Sequence, residues 1–288
     1  MKNVNALERA AKLKKYQDVS GEVLRYLLLT VWLVFAIFPF FWMILISLKS
    51  DAEMVTTVFR FTPTFENYYA VLFRPDSNYI IAFGQNIIVS GGAILLTLIA
   101  GVPAAYAFAR YNFKNKEGWA FQILSFRFAP EILVILPVFM IFQRLRLHDT
   151  YFGLIWVYQL ITMPLLIWVV RGYFEDINIE IEQAGQLDGY AWYEVFLKIL
   201  LPLVKPGLVA ASLLSFIFAW NSFTFPLILS NIRIQTVTVT ALRFLASDTV
   251  RFGQVAVATL ISVLPLVIIC LFIQKHLVRG LSFGAVKG

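Results

Sequence analysis

Hydrophobic positions in this chain gather into long blocks. Residues 26–48, the later part of 77–109, 152–170, 207–230 and 254–274 carry no charge, and 119–142 is apolar apart from Arg127 and Glu131. A hydrocarbon core about 30 Å thick is crossed by roughly 20 helical residues rising about 1.5 Å each. The pattern therefore predicts six spans. Each is expected to be a helix, because lipid offers no partner to open backbone groups and the alternation of a barrel strand is missing. The fold class expected is an all-α integral membrane protein.

Composition agrees with the blocks. Of 288 residues, 60% are apolar and 14% charged, against about 45–50% and about 25% in soluble proteins. A water-soluble globule and a disordered chain are both excluded. The single cysteine, Cys270, rules out a disulfide scaffold. The net charge of +7 comes from basic residues spread between apolar blocks, so it sets orientation in the bilayer rather than a nucleic-acid surface.

The leading segment 1–25 holds Lys2, Arg9, Lys12, Lys14, Lys15 and Arg25, which by the positive-inside rule keeps it in the cytoplasm. The first span, 26–48, follows this hydrophilic stretch with no small-residue cleavage site after it, so it reads as a retained helix. Six crossings return the tail 275–288 to the cytoplasm. On that topology 15 of the 24 basic residues lie inside, eight outside and Arg127 in the membrane. Segment 49–84 is expected to be external, 225–253 to be a second external stretch, and 85–274 to form the transmembrane core. The expected location is the inner, or cell, membrane of a bacterium or archaeon.

One internal connection stands apart. Residues 172–201 carry Glu175, Asp176, Glu180, Glu182, Asp188 and Glu194. Ile177, Ile181 and Ala184 recur at helical spacing, which predicts a short amphipathic helix. Asp188-Gly189 reads as a turn, and Leu187, Ala191, Val195, Phe196 and Ile199 suggest a second short helix ending at Pro202. The apolar stripe must be covered by the chain's own bundle or by another protein.

Chemistry-bearing motifs are scarce. There is no G-x-x-x-x-G-K-[ST] phosphate loop, no H-E-x-x-H and no G-x-S-x-G, and the two histidines, His148 and His276, lie at opposite ends of the topology. The chain is expected to be neither an enzyme nor a metalloprotein, and to hold no cofactor. Inside the membrane, Arg127 and Glu131 sit four residues apart. They read as a mutually neutralising pair, as a polar patch where Arg127 forks onto a carboxylate or sulfonate of an acidic solute, or with Arg127 reaching the interface. Trp220, Asn221, Ser222 and Phe223 combine aromatic faces with hydrogen-bonding groups, a mixture suited to a solute that presents both hydroxyls and apolar C–H faces. Packing and interface anchoring are the competing readings. Tyr158 and Gln159 offer a weaker version of the same pattern. Pro39, Pro103, Pro137, Pro164 and Pro265 read as kinks, and Gly91, Gly92 and Gly101 as close helix contacts.

Gln183-Ala184-Gly185, three residues, Gly189, nine residues, Ile199, one residue and Leu201-Pro202 reproduce the spacing of the EAA loop of ABC importer permeases, E-A-A-x3-G-x9-I-x-L-P. Gln183 replaces the leading Glu, with Glu182 beside it, and Gly185 replaces the second Ala. The Trp220–Phe223 run through Pro226-Leu227, and the tail from Gly280-Leu281 to Ala285-Val286-Lys287-Gly288, also resemble sugar permeases. The chain resembles the smaller six-span permease subunit of maltose-type carbohydrate importers. That resemblance implies a second permease subunit, two ATPase subunits that bind ATP and Mg, and an external solute-binding protein. It also implies that Glu182, Gln183, Ala184, Gly185, Asp188, Gly189 and Pro202 belong to a coupling helix seated on an ATPase. The alternative is an ATP-independent secondary transporter or channel, which favours an inverted repeat and midplane carboxylates. No such repeat is evident.

Overall fold

The computed structural model describes residues 2–54, 59–245 and 251–284. The last residues of the tail, 285–288, and parts of both stretches expected to be external, 55–58 and 246–250, lie outside the described residues, as do the side chains of 1–20 and 272–288. Every regular element among the described residues is helical.

Helix α1 (Lys2–Ser47) joins the basic leading segment and the first apolar block in one 46-residue rod. A short helix α2 (Glu66–Phe73) precedes α3 (Tyr79–Arg110), which at 32 residues is long enough to cross a bilayer. The third block is broken. Helix α4 (Lys116–Ser125) runs into a 3-10 turn at Phe126–Phe128, and α5 (Glu131–Arg144) departs at 97°. Proline explains the corner: a residue before proline is pushed out of the helical region, and Ala129, before Pro130, is extended at φ −67° and ψ 125°. The fourth block bends by 42° between α6 (Tyr151–Val157) and α7 (Gln159–Glu175). Among the described residues there are thus four uninterrupted apolar helices long enough to cross a membrane, or up to six spans when each bent pair counts as one.

The fifth span starts and ends earlier than its charge-free block. After α8 (Ile179–Leu187), the three-residue helix α9 (Trp192–Glu194) passes through a π-helical turn at Val195–Leu200 directly into α10 (Leu201–Trp220). Pro202 therefore ends no helix. A proline ring clashes with the carbonyl four residues back, and the wider turn just before Pro202, in which Leu201 N–H donates to Phe196 O, relieves that crowding. At the other end the chain leaves α10 at Asn221, and 224–229 form a separate short helix α11 (Thr224–Leu229) packed on α5. Helix α12 (Val237–Arg243) and the long α13 (Phe252–Gly284) complete the chain.

The core is the three-way packing of α3, α7 and α10, with α13 against α10 and α1 outside α13. Small residues permit the approach of α3 to α6 and α7. A Cβ on Gly92 would lie 2.6 Å from Ile155 Cδ1, and one on Gly101 2.9 Å from Leu166 Cδ2, whereas Gly91 faces open space. Gly92 and Gly101 are thus close contacts, and Gly91 is not. Thr97 ties the seam by donating to Ala93 O at 2.8 Å and lying 2.6 Å from the Thr162 hydroxyl. Helices α2 and α12 pack at the Tyr79 end of α3, and α8 lies at its Arg110 end.

Candidate functional site

The α8 segment is built to hold a fixed pose. Asn178 Oδ1 accepts from Glu180 N at 3.1 Å and caps the helix, while Glu180 and Glu182 in the first turn complement the positive end of its dipole. Its far end closes in a Schellman turn: Tyr190 N–H donates to Gly185 O at 3.1 Å and Gly189 N–H to Gln186 O at 3.0 Å. This geometry requires Gly189 at φ 92°, where a side chain would be strained.

Two residues face inward. Glu182 is 5% exposed, and its carboxylate accepts from Arg110 Nε and from the Tyr106 hydroxyl, the latter at 3.1 Å. Arg110 is the last residue of α3 and also donates from Nη2 to Ile177 O at 2.8 Å. A guanidinium is well placed at the negative end of a helix. Gly185 lets α8 lie on the start of the fifth span, where a Cβ would come within 2.8 Å of Ile199 Cδ1 and 3.2 Å of Val195 Cγ2. Helix α8 is thereby clamped between α3 and the π-helical turn leading into α10.

The outward face carries Gln183, Ala184 and Asp188, all exposed. Leu187 is 88% exposed, and Ile179, Ile181, Tyr190, Trp192 and Tyr193 extend the same surface. The stripe of Ile177, Ile181 and Ala184 is not covered by the bundle: Ile181 and Ala184 are exposed and Ile177 is half-buried. Glu182 turns inward, so it supplies no charge to the exposed face beside Gln183. Tyr106 and Arg110, which hold Glu182, escaped the sequence reading because 72 residues separate the two ion-pair partners. A second pair at this end joins α4 to α7: Arg171 meets Glu117 and Glu175, each at 2.6 Å.

The residues read as a membrane path are divided among several environments. Arg127 and Glu131 lie on either side of the Pro130 corner rather than one turn apart on a helix, and among the described residues they form no ion pair. Arg127 instead stacks over Phe218 with its guanidinium carbon 3.7 Å from the ring centroid and donates to Ile161 O at 3.1 Å. Both ionisable residues line a cavity of about 60 Å³. Tyr158 is fully buried. Gln159 donates to Ala93 O and Ile155 O and accepts from Thr97, so it belongs to the α3–α7 seam. Trp220 is buried, donates to Ser262 O at 3.0 Å and stacks on Phe216, tying α10 to α13. Asn221 and Phe223 remain on the surface of this chain, with Asn221 Nδ2 donating to Ile217 O. Of the seven path candidates, these two and the Arg127–Glu131 cavity stay open to a neighbour or solute.

At the end opposite α8, Asp149 organises the stretch after α11. Its carboxylate accepts from the backbone N–H groups of Asn231, Ile232, Arg233 and Ile234, at 3.0, 3.3, 3.0 and 3.1 Å. Partial burial alone would raise the Asp149 pKa, but the four amides outweigh it and hold the group below its ordinary value.

Residues 98–283 match the family described as binding-protein-dependent transport system inner membrane component. The trehalose/maltose transport system permease protein MalG of Thermococcus litoralis is 32% identical over 93% of this chain and 99% of its own length. The trehalose transport system permease protein SugB of Mycobacterium tuberculosis is 33% identical over 88% and 93%. The sulfoquinovosyl glycerol transport system permease protein SmoH of Agrobacterium fabrum is 29% identical over 93% and 95%. In fold, the chain is similar to a chain of a bacterial ABC transporter involved in import of the acidic polysaccharide alginate, with a TM-score of 0.73, 23% identity and coverage of 90% and 97%. With helices apolar and long enough to cross a membrane several times, this chain belongs to the family of binding-protein-dependent transport system inner membrane components, the multi-pass permease subunits of ABC importers.

Proposed function

We propose that this chain forms one half of the path of an ATP-driven sugar importer working by alternating access, and that α8 is the coupling helix that seats on an ATPase subunit. The observation that carries the reading is the clamp at α8: a short, rigid helix with an exposed outer face, joined by Glu182 and Gly185 to helices that cross the bilayer. A displacement of α8 is thereby delivered to α3 and α10 as a rigid movement, which is what coupling two sites through a bistable element requires. Gln183, Ala184 and Asp188 would face the ATPase. Gly189 ends the helix, and Pro202 sits inside the continuous lever rather than at its end. A second permease subunit would complete the path beside Asn221, Phe223 and the Arg127–Glu131 cavity, two ATPases would supply ATP and Mg chemistry, and an external binding protein would deliver solute. Relatives named for trehalose, maltose and sulfoquinovosyl glycerol support a sugar as cargo. Both termini then lie in the cytoplasm.

The test is a cysteine at Gln183 in the assembled importer. Crosslinking to a nucleotide-binding subunit, with uptake that requires ATP, is the expected result. A cysteine at 183 that labels from the external medium, or solute uptake by this chain without any ATPase, would overturn the reading.

A further inference from the structure

At the end of the bundle opposite α8, three arginines from separate segments converge. Arg74 follows α2, Arg243 is the last residue of α12, and Arg251 immediately precedes α13. Together with Asp76 they line a recess of about 120 Å³. Arg74 lies 3.9 Å from Glu66, with both side chains substantially exposed. Among the described residues, Arg243 and Arg251 have no acidic partner.

Helix dipoles explain two of these arginines and not the third. A cation at a helix C-terminus is favourable, which suits Arg74 and Arg243. Arg251 is on the wrong end. Its carbonyl accepts the first helical bond of α13, from Val255 N at 3.0 Å, so its charge adds to the positive end of a 33-residue helix that has no acid in its first turn. Beside it, Gln254 is only 6% exposed, lines the same recess, and its side-chain amide has no hydrogen-bond partner among the described residues. Its amide is not among the buried polar groups left without a partner, so it is a donor open to a group that enters the recess. The neighbouring Ser77 is not in that position, since its hydroxyl donates to Val71 O at 2.6 Å.

We infer that this recess binds a single oxyanion group, a phosphate or a similarly sized sulfonate or carboxylate, held by Arg243 and Arg251, the α13 N-terminus and the Gln254 amide, with Arg74 at its mouth. The three arginines outnumber Asp76, the acid that lines the recess with them, and such a group answers that surplus positive charge through charge-assisted hydrogen bonds, with the Gln254 amide as a neutral donor beside them. It comes either from the headgroup of an anionic lipid at the membrane surface or from a soluble anion. The site uses no residue of the α8 clamp and stands whether or not α8 meets an ATPase.

The experiment uses the full chain purified in mild detergent with whatever importer subunits accompany it. Binding to phosphatidylglycerol and phosphatidylcholine is compared by native mass spectrometry, and inorganic phosphate is titrated against thermal unfolding. The wild type is expected to favour one anionic probe, and R243Q/R251Q to weaken that binding by about tenfold or more. Preference for phosphatidylglycerol without a phosphate effect identifies a lipid headgroup, whereas saturable protection by phosphate identifies a soluble anion. Q254L, which keeps every charge, is expected to weaken the same binding less, and it serves as the test if the double variant does not fold. Equal retention of both lipids with no effect of phosphate, or binding unchanged in a folded variant, would overturn the site.

Discussion

Two arginine–glutamate pairs in this protein reverse what their spacing suggests. Arg127 and Glu131 are four residues apart in one apolar block, the interval at which helical side chains meet, yet a proline corner separates them and no ion pair forms between them. Arg110 and Glu182 lie outside the apolar blocks, 72 positions apart, and meet in a buried contact reinforced by Tyr106. Proximity along the chain becomes proximity in space only while the helix continues. A buried pair far apart in sequence has to be supported from several directions, here by the end of α3, the first turn of α8 and the Ile177 carbonyl.

The largest effect that would sharpen the contrast is at Glu182. Glu182→Gln leaves the Arg110 charge buried without its counter-charge, at a cost on the order of 3 kcal/mol, and transport should fall steeply. Restoration by the swap R110E/E182R, measured as uptake per ATP hydrolysed, would tie the loss to the pair. Full coupling in E182Q would break the comparison.

Double-mutant cycles rank the two pairs directly. Thermal or denaturant unfolding of R110A, E182A and their combination should give a coupling energy above about 1.5 kcal/mol, while R127A and E131A should couple by less than about 0.5 kcal/mol. Arg127→Ala alone should still destabilise, because it removes the stack on Phe218 and the bond to Ile161 O. A large coupling for Arg127 and Glu131 would restore the pairing read from their spacing.

A smaller effect probes the other side of the clamp. In Gly185→Ala the added Cβ meets the far end of the Ile199 side chain, which can move, so a change under about 1 kcal/mol is expected. Gly185→Phe should cost more and dislodge α8. Crosslinking from position 183 reads the pose, and an unaffected G185F would show that α8 does not rest on Val195 and Ile199.

The smallest effect is at the opposite end and depends on pH. Asp149 has its pKa held down in the folded chain, so its contribution to stability is fully present above the ordinary carboxylate value of about 3.9 and is lost as pH falls through the folded value. Wild type should exceed Asp149→Asn in thermal stability at neutral pH, with the gap closing below about pH 4. A gap constant with pH would show that the four amides act without regard to charge.

The helical, membrane-crossing class was legible because a charge-free block long enough for the bilayer is a local property. The 172–201 connection was legible in part: Asp188-Gly189 marked the turn, and the spacing from Gln183 to Pro202 marked the family. Its inward face was not, since an acidic residue beside an apolar stripe looks solvent-facing until Arg110 is brought to it. The path was least legible. Trp220 and Gln159 carry groups suited to a sugar, and only their bonds to Ser262 O, Ala93 O and Ile155 O show that those groups are already occupied.

What the sequence determined by itself was a helical membrane protein with six apolar blocks and a polar connection of defined spacing, because hydrophobic length is set against a bilayer of nearly constant thickness. Tertiary structure alone decided where those blocks break, which glutamate turns inward, and that three arginines share one recess. Such choices depend on partners tens of residues distant and on whether a buried charge finds its counterpart, and no local pattern encodes that.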